Sequence, residues 1–139
     1  MAVVRLQQSA YNVEAAIIGH ADLPPLRESA TDITNSSEHF YGCYHERQLS
    51  GVMSLESQPN EVLVCRLIVH PNSFRRGIAS ALLRYAEMQA RATKAHLIKV
   101  NAAARNQPAL ALYRKLGFQS CREYTTPDGV HMIELRKTI

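Results

Sequence analysis

Cysteine is scarce in this sequence, and its few copies are widely separated. The chain contains three cysteines, Cys43, Cys65 and Cys121, and no C-x-x-C pair. An odd number of distant cysteines argues against a disulfide framework. We therefore expect free thiols and a reducing compartment.

Long hydrophobic runs are also missing. No segment approaches the roughly 18 consecutive apolar residues that suggest a membrane-spanning helix. The N-terminal stretch MAVVRLQQSAYN contains too short an apolar run for a signal peptide. We expect a cytoplasmic protein without a membrane partner.

The charges form no block of one sign. The chain has 16 Lys and Arg against 12 Asp and Glu, and no basic run is longer than two residues. A nucleic-acid-binding protein usually concentrates its basic residues on one surface, so we expect no nucleic acid partner. The net charge of +4 is compatible with a small anionic ligand. The pattern G-x-x-x-x-G-K-[ST] is absent, which excludes a P-loop nucleotide hydrolase.

The rest of the composition is that of an ordinary globular protein. The chain is 46% apolar and 20% charged, close to the average for soluble domains. A chain of 139 residues is long enough for one core but too short for two. We therefore predict a single domain over residues 1–139.

The stretch from Val62 to Ala92 predicts a strand, a turn and a helix. Val62–Val69 is rich in β-branched residues, as is a central strand covered on both faces. Pro71 has no N–H for strand pairing, so the strand should end near His70. From Ile78 onward the polar residues form one stripe at helical spacing, and the apolar remainder predicts a mostly buried helix.

The start of this helix has the properties of a phosphate-binding site. The first backbone N–H groups of a helix have no partner within it, and the helix dipole adds positive charge there. Gly77 permits close approach of the backbone to a ligand, and Arg75 and Arg76 add formal charge. The alternative is an ordinary helix start with two solvated arginines.

Two sequence blocks resemble a known family. V-x-P-x-x-x-R-R-G-I-A-S-A-L-L, ending at Leu83, is similar to the acyl-CoA-binding signature of the GNAT superfamily of N-acyltransferases. That signature is Gln/Arg-x-x-Gly-x-Gly/Ala; Gly77 and Ala79 occupy its last two positions, and Phe74 departs from its first. Downstream, the block from Asn106 to Phe118 resembles the N-x-x-A-x-x-L-Y-x-K-x-G-F segment of the family.

The resemblance implies an α+β fold with a mixed, mostly antiparallel sheet, helices on both faces and splayed central strands. The order of elements read from the sequence agrees with it. The predicted strands are Ala2–Leu6, His39–Glu46, Leu49–Glu56, Val62–Val69, His96–Asn101, Phe118–Tyr124 and Val130–Arg136. The predicted helices are Tyr11–His20, Leu26–Ile33, the helix from Ile78, and Gln107–Leu116.

The resemblance also implies residue roles. Backbone groups of Leu67, Ile68 and Val69 would bind the pantetheine arm of coenzyme A. Asn106, which can also cap the following helix, would lie near the same arm. Tyr113 would protonate the departing thiolate; the alternative is a tyrosine that only packs above the sheet. The residues implied for the pyrophosphate are Phe74, Arg75, Arg76, Gly77, Ile78, Ala79 and Ser80.

No general base is evident. Relatives often have a glutamate at the places that Cys65 and Asn101 occupy, yet an amide does not titrate and a buried thiol is usually inert. His39, Cys43 and His45 share one strand face, but they are too far apart along it to bind one metal ion. We therefore predict no metal site.

Two functions are compatible with these observations. The first is an N-acetyltransferase that moves an acetyl group from acetyl-CoA to a primary amine within a ternary complex. The second is a non-catalytic acyl-CoA-binding or regulatory module, which the missing base favours. The acceptor would be a small-molecule or peptide amine that the resemblance does not identify. A homodimer is compatible with the sequence.

Overall fold

The computed structural model describes residues 2–7, 36–71 and 77–139. Helical residues 2–7 form the described part of α1. The later helices are α2 (Ile78–Ala92) and α3 (Gln107–Lys115). The strands are β1 (His39–His45), β2 (Gln48–Gln58), β3 (Glu61–Val69), β4 (Leu97–Ala103), β5 (Gln119–Thr125) and β6 (His131–Thr138).

The strands form one six-stranded mixed sheet in the order β1-β2-β3-β4-β6-β5. Four of its pairings are antiparallel and only β3 with β4 is parallel. A parallel pair needs a crossover connection, and α2 provides it between β3 and β4. The sheet is open, and the α+β fold with splayed central strands is confirmed.

The two central strands separate halfway along their length. Parallel pairing runs from Glu61 with Leu97 to Val64 with Val100 and then stops, although both strands continue. Directly after Val64, Cys65 has no partner in β2, because Leu55 pairs with Val64 and Ser54 with Arg66. A β-bulge of this kind bends its strand and increases the local twist. The bulge therefore directs the second half of β3 away from β4.

Helices α2 and α3 cover one face of the sheet. Their buried side chains belong to one core cluster with alternate residues of β2, β3, β4 and β6. The cluster includes Met53, Val64, Leu82, Leu83, Val100, Leu110, Tyr113 and Leu135. We call this face the helical face. On the opposite face, Leu6 of α1 packs with Val52 and Ile68.

A buried ion pair joins α1 to that opposite face. The Arg66 guanidinium donates to Glu38 at 2.8 and 3.0 Å and to Gln7 Oε1 at 2.9 Å. The hydrogen bond from Arg66 holds the pKa of Glu38 below its usual value, against the opposing effect of burial. Because the charges are paired and hydrogen-bonded, they can be tolerated inside the protein.

Most element predictions are confirmed, with boundaries shifted by a few residues. The predicted strand Ala2–Leu6 is wrong, since residues 2–7 are helical. Its two valines favour a strand, but the inward positions Val3 and Leu6 are three residues apart, which is helical spacing. The predicted helices Tyr11–His20 and Leu26–Ile33 lie outside the described residues.

Helix α2 is less buried than its composition indicates. Only Leu82, Leu83, Ala86 and Ala90 are buried, and they form a narrow stripe. Tyr85 and Met88 are exposed. The prediction of a mostly buried helix is therefore wrong, because one face of α2 contacts the sheet and the other does not.

The first turn of α2 packs directly on a glycine of β2. A Cβ atom added at Gly51 would lie 2.6 Å from Ile78 Cγ2. We therefore expect Gly51→Ala to lower the free energy of unfolding by about 1–3 kcal/mol through overpacking. Urea denaturation measures this. In the double variant Gly51→Ala/Ile78→Ala the clash is removed, so the two costs should not add. Strictly additive costs would contradict this contact.

Candidate functional site

A cleft opens where β3 and β4 separate. Residues from both strands and from α3 surround a volume of about 100 Å³. The lining residues are Val64, Cys65, Leu67, Val100, Asn101, Ala102, Asn106, Ala109 and Tyr113. Three residues singled out from the sequence for the pantetheine arm or for catalysis, Leu67, Asn106 and Tyr113, therefore border one cleft.

The backbone of β3 presents hydrogen-bonding groups to this cleft. His70 N–H donates to Ser50 O at 2.8 Å, so the peptide groups of Ile68, two residues earlier, also point toward β2. The groups of Leu67 and Val69 point the other way, toward the side that β4 has left. Among the described strands, none pairs with β3 there, because the β3–β4 ladder ends at Val64. An extended ligand could pair with these two residues as an added strand would.

The start of α2 lies just beyond the end of β3. Gly77 is its N-cap in a left-handed conformation, with φ of 76°, and no side chain caps the helix there. The first turn contains no acidic residue, and a Cβ at Gly77 would meet no atom within 4 Å. Within the described residues, the amides of Ile78, Ala79 and Ser80 begin a helix whose start could accept an anion. Phe74, Arg75 and Arg76 lie outside the described residues.

Asn106 has the capping role that the sequence predicts and also borders the cleft. Its Oδ1 accepts from Ala109 N at 3.3 Å, and a proline follows in the first turn of α3. The helix ends before Gly117, whose φ is 97°. Both ends of α3 are therefore determined locally, and its start lies beside the cleft.

Tyr113 is buried at the cleft, with 6% of its surface exposed. Its ring packs against Phe118, with centroids 5.9 Å apart. The packing interpretation of Tyr113 is thus correct, and it does not exclude a chemical role, since the residue also lines the cleft.

Cys65 is unsuited to act as a base. Burial raises the pKa of its thiol to about 12, and the carboxylates of Glu38 and Glu56 add to the rise. At neutral pH the thiol is therefore protonated and cannot accept a proton.

Asn101 has a partner that sequence reasoning missed. The Tyr124 hydroxyl donates to Asn101 Oδ1 at 3.0 Å. Burial raises the pKa of Tyr124, which keeps the phenol protonated and able to donate. The bond fixes the amide so that its N–H₂ group is available to another acceptor. No motif signals this pair, because Tyr124 reaches Asn101 across β6 from a different part of the chain.

A polar cluster lies next to this pair on β5 and β6, on the sheet face opposite α2 and α3. Glu134 is buried and accepts from Cys121 at 3.1 Å and from Arg136 at 3.2 Å. Burial alone would raise the pKa of Glu134, but these hydrogen bonds together with the positive charges of Arg136 and Lys99 lower it below its usual value. Glu134 pairs with Asn101 in the β4–β6 ladder, so the cluster adjoins the cleft.

The described residues contain neither a metal-binding cluster nor a membrane-spanning helix. Residues 2–7, 36–71 and 77–139 contain no group of three or more His, Cys, Asp or Glu placed to hold a metal ion. Within the same ranges, no helix has the length and apolar character needed to cross a membrane.

The splayed strands, the open helix start and the two sequence blocks define one class of protein. A family model described as the acetyltransferase (GNAT) family matches residues 3–118. The chain belongs to this family.

One relative by sequence and two solved structures are similar to this chain. The chain is 37% identical over 128 residues to the UPF0157 protein YqkA of Bacillus subtilis, covering 92% of this chain but 37% of YqkA. Ribosomal-protein-S18-alanine N-acetyltransferase from Escherichia coli superimposes with a TM-score of 0.78, at 21% identity, over 99% of this chain and 86% of that one. PaiA N-acetyltransferase from Thermoplasma acidophilum, solved in complex with coenzyme A, gives a TM-score of 0.75 at 16% identity, over 99% and 91% of the two chains.

Gly77 allows a direct test of the helix start. We expect Gly77→Glu to abolish coenzyme A binding, because it places bulk and negative charge where the pyrophosphate would approach. Isothermal calorimetry with coenzyme A measures this.

The matched control is Gly129→Glu. Gly129 also has a positive φ, 87°, and open space around a Cβ, but it lies in the turn between β5 and β6. Both variants therefore undergo the same change of charge and similar backbone strain. Equal affinity in the two variants would show that the ligand does not approach Gly77.

Proposed function

We propose that the protein is an acetyl-CoA-dependent N-acetyltransferase that acts on a primary amine by direct transfer in a ternary complex. One observation supports this most: the cleft between the separated strands has free backbone groups on one wall, an open helix start beyond it and a phenol on another wall. Family membership agrees with it. Holding thioester and amine together supplies much of the rate in such a reaction.

The described residues fit coenzyme A along its length. The amides of Gly77 to Ser80 suit the pyrophosphate, because the helix start is uncapped and has no acidic residue. Leu67 and Val69 suit the pantetheine amides, and Asn106 borders the same cleft. Bound acetyl-CoA supplies the activated thioester. We infer the same site to extend to Phe74, Arg75 and Arg76.

Tyr113 is the proposed general acid. When the amine replaces the sulfur at the acetyl carbon, the C–S bond breaks and a thiolate leaves. A phenol at the cleft can give its proton to that sulfur. The Tyr113 hydroxyl is the candidate because its ring is held by Phe118 at the wall of the cleft.

Proton removal from the amine does not require a carboxylate in this site. The described residues that line the cleft include no Asp, Glu or His, and Cys65 is protonated at neutral pH. We propose that the amine enters in its neutral form and loses its proton to water after attack. Such an enzyme should work better at higher pH, where more of the amine is neutral.

A cytoplasmic location accompanies this proposal. All three cysteines are free thiols, which suits a reducing compartment.

The same lack of a carboxylate supports a second candidate, a non-catalytic module that binds acyl-CoA. This module would keep the helix start and the β3 backbone groups without turnover. The two candidates share the prediction on coenzyme A binding and differ in the prediction on Tyr113.

Coenzyme A should stabilise the native protein. A ligand present at 100 times its dissociation constant adds about 2.7 kcal/mol to the free energy of unfolding. Thermal denaturation with and without millimolar coenzyme A measures the effect. An unchanged melting temperature would contradict both candidates.

Tyr113→Phe should separate enzyme from module. If the hydroxyl protonates the thiolate, kcat should fall by roughly 10²–10⁴-fold while coenzyme A affinity is kept. The measurement is thiol release with acetyl-CoA and a panel of primary amines. Because the ring remains, the contact with Phe118 should survive and the fold should be unchanged.

The control is Tyr85→Phe, which removes a hydroxyl from an exposed tyrosine on α2. Its turnover should equal that of the wild type. Equal turnover in Tyr113→Phe would remove Tyr113 from the mechanism, and absence of turnover with every amine would favour the module.

A further inference from the structure

An arginine lies close to the cleft on the face opposite the helices. The Arg122 Cζ atom is 4.8 Å from the ring centroid of Tyr124, in cation–π contact. The hydroxyl of the same tyrosine donates to Asn101, which lines the cleft. The stacked ring therefore positions the guanidinium near the cleft, on the sheet face opposite α2 and α3.

The charge of Arg122 is only partly compensated. Its ion pair with Glu134 is 3.8 Å long, which is beyond hydrogen-bond distance. Arg122 faces Oε1 of Glu134, whereas the shorter bonds from Cys121 and Arg136 go to Oε2 of the same carboxylate. The Arg122 side chain is 62% exposed. Its planar group of N–H donors thus remains accessible to an anion.

The neighbouring cations are more closely paired. Lys99 Nζ lies 2.8 Å from Glu61 Oε1, and Arg136 Nη2 lies 3.2 Å from Glu134 Oε2. With Arg122 included, the group has three positive side chains, Lys99, Arg122 and Arg136, and two negative ones, Glu61 and Glu134. Because the other two cations have close partners, the excess positive charge resides on Arg122.

We propose that Arg122 binds a carboxylate of the acceptor, so that the acceptor class is an amine that also bears a carboxylate. This rests on the proposed acetyl transfer. A guanidinium matches a carboxylate through two parallel hydrogen bonds, and one excess charge suits one carboxylate. Arg122 of β5 and Asn101 of β4 both pair with Glu134 of β6, which lies between them. The Cα atoms of Arg122 and Asn101 are therefore two strand spacings apart, about 10 Å. The amine and the carboxylate should therefore be several bonds apart.

Matched pairs of small amines test the proposal. The probes are γ-aminobutyrate and glycylglycine, each compared with its primary amide, and O-phosphoethanolamine as a phosphate probe. Calorimetry measures their binding to the protein in the presence of coenzyme A, independently of turnover. We expect each acid to bind about 10- to 100-fold more tightly than its amide, the range for a hydrogen bond to a charged group.

Three variants assign this preference to a residue. Arg122→Gln should remove it and Arg122→Lys should keep part of it, since lysine retains the charge but not the planar donor group. Arg47→Gln removes the same charge in the exposed turn between β1 and β2 and should leave the preference unchanged. Coenzyme A should stabilise all three variants as it does the wild type.

The proposal is overturned if acid and amide bind equally to the wild type, or if no probe binds. Retention of the preference in Arg122→Gln overturns it as well. Tighter binding of O-phosphoethanolamine than of either acid would replace the carboxylate by a phosphate. Failure of the proposed acetyl transfer would be seen separately, as a lack of stabilisation by coenzyme A or of turnover.

Discussion

The unpaired residue in β3 is the constraint on which the site depends. Cys65 has no partner in β2, and the parallel pairing of β3 with β4 ends one residue earlier, at Val64. A sheet whose central strands remained paired would satisfy its backbone groups internally and leave no cleft. Beyond the bulge, no described strand pairs with the outward backbone groups of Leu67 and Val69, which are the groups proposed to bind the ligand.

The cleft is held open from both faces. On the helical face, Ile78 of α2 packs on Gly51, which pairs with Val69 at the end of β3. On the other face, Arg66 forms a buried ion pair with Glu38 beside the bulge and donates a hydrogen bond to Gln7 of α1. Removing one charge of such a pair would leave the other buried without a partner and would destabilise the fold. The ion pair therefore favours this one arrangement of the strands around Cys65.

The electrostatics of the cleft differ between its two sides. The side facing α3 presents an amide and a phenol, and the described lining residues include no carboxylate. The opposite side leads to Tyr124, Arg122 and Glu134, where charge is present and partly exposed. The proposed general acid and the proposed carboxylate site therefore lie on different faces of one sheet.

Local patterns in the sequence determined the strand, turn and helix from β3 to α2, the Asn106 cap and the end of α3 at Gly117. They could do so because periodicity, capping and left-handed turns depend on residues a few positions apart. Only the tertiary structure decided the bulge at Cys65, the residue at which β3 leaves β4 and the bond from Tyr124 to Asn101. Each of these depends on which distant segments pair and in what register, and a shift of one residue would reverse the face of every side chain in a strand.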